Sequence, residues 1–182
     1  MGIAILTPPA FEPVSLAAAK LHLRVDHDAE DSLIGSLVRV AREAVEAFTG
    51  RVLIARRVRE TRDAWAPDAD GAVRLALAPV TAIVAVRVVR ADGSMAALSE
   101  TPRLARDAGL IRLASFPAPA FPLAGIEIDY DAGFGDTEAA CPAPLRQAVL
   151  VTVAALYEGR EGEAATPPAA LALAAPFARV KL

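Results

Sequence analysis

Between Arg51 and Tyr130 hydrophobic residues recur in short runs at every second position, interrupted by a loop at Phe116-Pro117-Ala118-Pro119-Ala120-Phe121-Pro122, whereas on both sides of that stretch they recur at helical spacing. A chain whose period changes twice is neither all helix nor all sheet. The pattern is α+β: a helical body of two long helices plus a short N-terminal helix, with an antiparallel β-sheet inserted between them and an extended C-terminal arm. Within the β region, about 52–130, Val73, Leu75 and Leu77 alternate with Ala72, Arg74 and Ala76. Val84, Val86 and Val88 alternate with Ala85, Arg87 and Val89, and Asp92-Gly93 then offers a tight turn. Ile111 and Leu113 make a short strand. Ile126, Ile128 and Tyr130 face one way while Glu127 and Asp129 face the other. A two-residue period of this kind predicts an antiparallel sheet with one face on a core and one in water. Residues 52–65 form a further strand whose arginines blur the alternation.

The flanking segments are helical. Ser15 is placed to cap a short helix over about 16–24, with Leu16, Ala19 and Leu23 on one side. A second helix, about 29–49, carries Leu33, Ile34, Leu37, Val38, Ala41, Val45 and Phe48 on one face, with Arg39, Arg42, Glu43 and Glu46 largely opposite. Gly50 closes it. A third helix, about 144–158, is apolar over more than one stripe, since Leu150 and Val151 join Leu145, Val149, Val153 and Leu156. Such a helix is buried between two partners, either the sheet and the preceding long helix or a neighbouring subunit. Residues 1–165 are thus expected to form a single α+β domain and 166–182 an extended arm. That arm holds Pro167, Pro168, Leu171, Leu173, Phe177, Val180 and Leu182. Burying its larger apolar side chains would contribute about 8–15 kcal/mol, so the segment docks either on its own domain or on an adjoining protein.

Composition narrows the function. The 19 basic residues, 17 of them arginine, face 22 acidic ones, for a net charge of −3. A protein whose task was to grip nucleic acid would carry a basic excess. A lone Cys141 excludes an internal disulfide and a cysteine-based zinc site, and with only two histidines present a buried structural thiol is the reading. Met1 to Leu6 is too short and uncharged for a signal peptide, and no apolar run reaches the ~18 residues of a membrane span. The chain is expected to be made in the bacterial cytoplasm, without contact with a membrane.

Tests for chemistry fail one by one. No internal repeat, Walker loop, GxSxG elbow or HExxH pair occurs. Asp26, Asp28 and Glu30 mimic the start of a calcium loop, but Asp31 stands where glycine is needed and Leu37 where a bidentate glutamate is needed. These carboxylates instead precede a helix N-terminus, where the macrodipole favours them. His22 and His27 straddle a helix end without a common geometry. Gly133-Phe134-Gly135 is followed by Asp136 and Glu138, which would repel a phosphate, and reads as a turn. Of the basic cluster Arg56, Arg57, Arg59 and Arg62, strand alternation sends Arg57 and Arg59 to one side and Arg56 and Arg62 to the other. A divided patch is a poor nucleic-acid track, so these arginines are read as ion-pair partners of carboxylates, within the fold or across a subunit contact. No catalytic, metal or cofactor residues are assigned. A small hydrolase built on Asp129, Asp131, Asp136 and a histidine is the rival of another class, and it requires those groups to converge.

Several segments together resemble the head–tail connector (adaptor) family of long-tailed bacteriophages and gene transfer agents. They are Leu6-Thr7-Pro8-Pro9-Ala10-Phe11-Glu12-Pro13-Val14-Ser15-Leu16-Ala17, Leu21-His22-Leu23-Arg24-Val25-Asp26 and Ala47-Phe48-Thr49-Gly50-Arg51. Ile128-Asp129-Tyr130-Asp131-Ala132-Gly133-Phe134-Gly135, Pro142-Ala143-Pro144-Leu145-Arg146-Gln147-Ala148 and Leu156-Tyr157-Glu158-Gly159-Arg160-Glu161 continue the pattern. The resemblance implies a structural homo-oligomer, a dodecamer by the family's habit, placed as a ring between the portal protein and a stopper or tail-terminator protein. Double-stranded DNA would pass through its channel without specific binding. It implies no catalytic residue and no cofactor. Under it, the arm from 166 to 182 contacts the portal; the arginines Arg56, Arg57, Arg59 and Arg62, read above from their own pattern, are expected to supply ion pairs between subunits. Twelve copies of a −3 chain would carry roughly −36, which suits a wall along which DNA slides. A stopper or tail-completion protein of the same neck is the variant reading.

Overall fold

Every second residue of the strand Ile126–Ala132 is sealed from solvent: Ile126, Ile128, Tyr130 and Ala132 are all 0% exposed. That strand lies in the middle of the larger of two sheets, in a computed structural model that describes residues 2–159 and 166–179. The strands, in chain order, are Gly2–Thr7 (β1), Arg56–Arg62 (β2), Val73–Arg74 (β3), Val80–Val89 (β4), Met95–Ala97 (β5), Arg103–Ala105 (β6), Leu110–Arg112 (β7) and Ile126–Ala132 (β8). The five-stranded sheet runs β1-β2-β8-β4-β5 and the three-stranded sheet β3-β7-β6, every pairing antiparallel. The contacts divide the chain into two compact units, 1–9 with 55–133 and 10–54 with 134–182. The sheets and the helices each possess their own buried residues.

In the sheet unit, the register sets Val58 opposite Tyr130 and Glu60 opposite Ile128. Alternation holds along β2, with Val58, Glu60 and Arg62 buried and Arg57, Arg59 and Thr61 on the other face. The strand is blurred in sequence because its inner face carries an ion pair instead of aliphatics. Glu60, fully buried, accepts from Arg62 Nε at 2.6 Å, from the backbone N–H of Ala76 at 2.9 Å and from Tyr130 O–H at 3.0 Å. The Tyr130 oxygen in turn accepts from the N–H of Leu77 at 3.2 Å, and Arg62 also donates to the Arg74 carbonyl. A buried charge is tolerated only when it is paired and its remaining lone pairs are filled. Here they are filled, and the network pins the segment 74–77 beneath the large sheet. Burial and the nearby Glu60 push the Tyr130 phenol well above its ordinary value, so it stays a donor.

The strand β1 was not foreseen. It pairs with β2 through Gly2↔Thr61 to Ile5↔Val58, then slips its register before Thr7. The Asp92-Gly93 turn is present, closed by Ser94 and Gly93 bonding with Arg90.

The helical unit contains Leu16–Leu23 (α1), Asp31–Thr49 (α2), Ala143–Glu158 (α3) and Pro168–Ala174 (α4), the last followed by a 3-10 turn over Ala175–Phe177. Ser15 caps α1, its Oγ accepting from Ala18 N–H at 3.3 Å, and Gly50 ends α2 in the left-handed region at φ 64°. Ile34, Val38, Ala41 and Val45 of α2 meet Leu145, Ala148, Val149 and Val153 of α3 in one buried cluster. Three residues of α2 depart from the expected faces. Leu33 and Phe48 are exposed, whereas Arg42 is buried. Its Nε donates to Glu12 at 2.7 Å, Nη1 to Glu46 at 2.9 Å and Nη2 to Glu43 at 3.2 Å, so each edge of the guanidinium meets a carboxylate.

The segment expected to be an extended arm is helical across 168–177. Proline at the first helical position and a run of alanine and leucine with no β-branched residue favour this. Ala170 and Ala174, four residues apart, are sealed at 0% and 1% exposure, and Leu173 and Phe177 pack beside them. The second partner of α3 is therefore α4 of the same chain. Two bonds fasten the segment further: Arg51 Nε to the Phe177 carbonyl at 3.0 Å and Arg179 N–H to the Thr49 carbonyl at 2.8 Å. The Phe177 ring meets Phe134 edge-on at 6.5 Å. Val180 and Leu182 of the expected arm lie outside the described residues.

Two outcomes follow for urea unfolding. Glu60→Ala strands Arg62, Tyr130 O–H and the Ala76 N–H together and should cost about 3–5 kcal/mol, against about 1 kcal/mol for Tyr130→Phe. Deleting 166–182 strips the cover from α3 and should lower stability by about 4 kcal/mol.

Candidate functional site

The outward face of the large sheet carries a ladder of charge. Strand pairing places Arg57 opposite Asp131 and Arg59 opposite Asp129 on neighbouring strands. Arg57 donates through Nε and Nη2 to the two oxygens of Asp131 at 2.8 and 3.0 Å. Arg59 does the same to Asp129 at 2.7 and 2.9 Å. From the other side, Arg87 of β4 reaches Asp129 at 2.8 Å and Glu127 at 3.3 Å. Both bidentate pairs use the planar fork that lysine lacks. Asp129, gripped from two strands, is only 4% exposed although it lies on the outer face. The Arg59 fork, helped by Arg87, holds its carboxyl below the ordinary 3.8. Three arginines against three carboxylates leave no excess of either sign.

Arg57, Arg59 and Arg62, expected to form ion pairs between subunits, have carboxylate partners inside the chain. Arg57 and Arg59 are held by β8, and Arg62 lies on the inner face against Glu60. Arg56, half-buried, opens the strand on the inner side by alternation. The signal was present in the sequence, since Glu127, Asp129 and Asp131 share one face of β8, but register was needed to match them with β2. Of the residues expected to touch a partner, Leu173 and Phe177 pack on their own core, Pro168 is exposed, and Pro167 and Leu171 are half-buried.

The helical unit has a groove of about 470 Å³ lined by Phe11, Val14, Leu16 and Val38, with Glu12, Asp136 and Glu138 at its polar side. Phe11 is 60% exposed there. Glu12 is already committed to Arg42. Elsewhere Lys20 clamps Asp28 and Asp31 at 2.6 and 2.7 Å, which is where the acidic run before α2 is spent. Both histidines are exposed, and Cys141 is buried, its thiol pushed up to about 12 by that burial. Among the described residues, no three His, Cys, Asp or Glu side chains converge where a metal ion could be held. The carboxylates a hydrolytic pocket would draw on, Asp129 and Asp131, are occupied by arginine forks.

The ladder has a pH signature. A carboxyl whose native value is depressed stabilises the fold above its unfolded value, and the contribution is lost as pH falls through the native one. Wild-type protein should therefore lose stability as pH drops below 3.8, and Asp129→Asn should flatten that acid slope while costing about 2 kcal/mol at pH 7. Urea midpoints at pH 7 and pH 3 read both effects.

Comparison with known proteins gives this surface its setting. The model of the family described as phage gp6-like head–tail connector protein matches residues 13–91. Among solved structures, a chain from the virion of a native gene transfer agent particle is 33% identical with a TM-score of 0.84. A chain from the neck of an empty gene transfer agent particle, computed with C6 symmetry, is 32% identical with a TM-score of 0.83. A third, from the neck of a native particle computed with C12 symmetry, is 31% identical with a TM-score of 0.82. Each match covers 100% of this chain and 97% of the other. No curated protein matches. The likeness extends through the whole length of the chain, and the chain belongs to the phage gp6-like head–tail connector family.

Proposed function

We propose that this connector is a structural adaptor. Copies of it form a ring in the neck of a phage-like or gene transfer agent particle, between the portal and the stopper or tail layers, and DNA passes through that ring. The observation that carries the reading is the end-to-end match at 31% identity to a chain of a neck computed with C12 symmetry. Cyclic symmetry of that kind arises from head-to-tail contacts between identical subunits.

The physical character of the chain supports the role. A net charge of −3 and an outward sheet face on which every arginine meets a carboxylate give DNA phosphates little to bind. A conduit must let DNA move, and tight phosphate contacts would arrest it. No helix among the described residues is long and apolar enough to cross a membrane. Paired carboxylates, exposed histidines and a buried thiol favour assembly over catalysis. In the C-terminal segment, Pro168 and Leu171 remain available to the portal, while the other face of α4 is spent on its own core.

Electron microscopy of purified particles tests the role directly. Particles made without this chain should contain filled heads lacking tails, and restoring it should return a ring of density directly below the portal. Tails attached normally in its absence, or density for the chain in a different layer, would overturn the reading.

A further inference from the structure

The large sheet ends in two open edges, and both are uncharged. At one edge lies β1, Gly2-Ile3-Ala4-Ile5-Leu6-Thr7, hydrogen-bonded to β2 on one side only. All six of its residues are exposed, with Ile3 at 46%, Ile5 at 54% and Leu6 at 43%. At the other edge lies β5, within the uncharged run Ser94-Met95-Ala96-Ala97-Leu98-Ser99, where Met95 is 38% exposed. Soluble proteins guard such edges with charge, proline or distortion, because an open row of N–H and C=O groups beside apolar side chains recruits another strand. The only guards on β1 are a register slip after Ile5 and the prolines that follow it, which leave Gly2–Ile5 regular. A six-residue strand with isoleucine on one face is well made for strand addition and poorly made for lasting exposure to water.

We infer that β1 adds to the β5 edge of a neighbouring copy of this chain, so that the large sheets join edge to edge around the ring. This rests on the ring proposed above. Symmetry selects the partner: β1 against β1 would be a two-fold contact and would close at a dimer, whereas β1 against β5 uses two different surfaces and repeats around a closed ring. Charge agrees, since neither run places like charges against the other. DNA is a poor occupant for β1, which has no cation to offer a phosphate.

Particles carrying Ala4→Cys together with Ala96→Cys, treated with a short bismaleimide, should yield a ladder of covalent multimers of this chain. Ala4→Cys alone should yield none, and the native Cys141, being buried, should not react. In parallel, Ile3→Lys with Ile5→Lys should leave the thermal unfolding of the subunit close to wild type, because both side chains are exposed, yet reduce particles with attached tails at least tenfold. Dimers from Ala4→Cys alone, or necks that are intact by microscopy but give no ladder with the double variant, would overturn the inference. Absence of this chain from wild-type necks would instead refute the ring itself, so the two failures are distinguishable. Should the lysine variant fail to fold, the cross-linking result decides alone.

Discussion

A carboxylate with no access to water sits at the centre of the sheet unit, and the arrangement around it follows from the need to satisfy that charge. Glu60 is fully buried, yet each of its oxygens is engaged, by Arg62, Tyr130 and the backbone of Ala76. Replacing such a group by a hydrocarbon of matching shape is often neutral in stability, so the pair is no simple source of strength. Its consequence is geometric. A buried charge permits only the arrangement in which all its partners are present, so β2, β8 and the segment leading out of β3 have a single register in which the charge is paid for. The ladder on the opposite face uses the same register. When Glu60 faces Ile128 inside, Arg59 necessarily faces Asp129 outside.

The helical unit solves a different problem. Its third helix is apolar over more than one stripe, and α2 alone would leave part of that surface in water. Alanine at positions 170 and 174 lets α4 lie close against it, where larger side chains would hold the helix away. The cost of using alanine is little apolar area per residue, and it is offset by Phe177 against Phe134 and by two backbone-directed bonds at the C-terminal end of the segment. A segment held this way is part of the fold first, and only its outer side is left for a partner.

The order of elements was legible where large aliphatics kept a strict period. Ser15, Gly50, the stripe Ile34-Val38-Ala41-Val45 and the alternation of Ile126, Ile128 and Tyr130 all mark elements that form as their spacing predicts. What escaped was whatever used residues against their usual habit. Arg42 lies on the buried side of α2 because three glutamates surround it, one of them thirty residues away in sequence, and periodicity cannot register a partner so distant. The inner face of β2 was obscured for the same reason. α4 was hidden because its contact stripe is alanine, which carries almost no hydrophobic signal against a background already rich in it. Strand β1 was missed because six residues before a pair of prolines look like a lead-in, and only pairing with β2 turns them into a strand. The partners of Arg57 and Arg59 were all visible as residues, but ion pairs across a sheet become assignable only when register is known.

These features meet in the economy of arginine. The chain has seventeen arginines and two lysines, and among the best placed of them, Arg42, Arg57, Arg59, Arg62 and Arg87 each face at least one carboxylate of the same chain. Internal pairing removes positive charge from the surface without removing the rigidity that a bidentate fork confers. Lysine in the same positions would have stayed mobile and hydrated, a set of point charges free to hold phosphates. For a proposed conduit this distinction is physical: a wall that is stiff and neutral can bound a column of DNA, whereas a stiff and basic wall would bind it. The surfaces left for assembly are then the uncharged ones, and in the sheet unit the two open edges are among them.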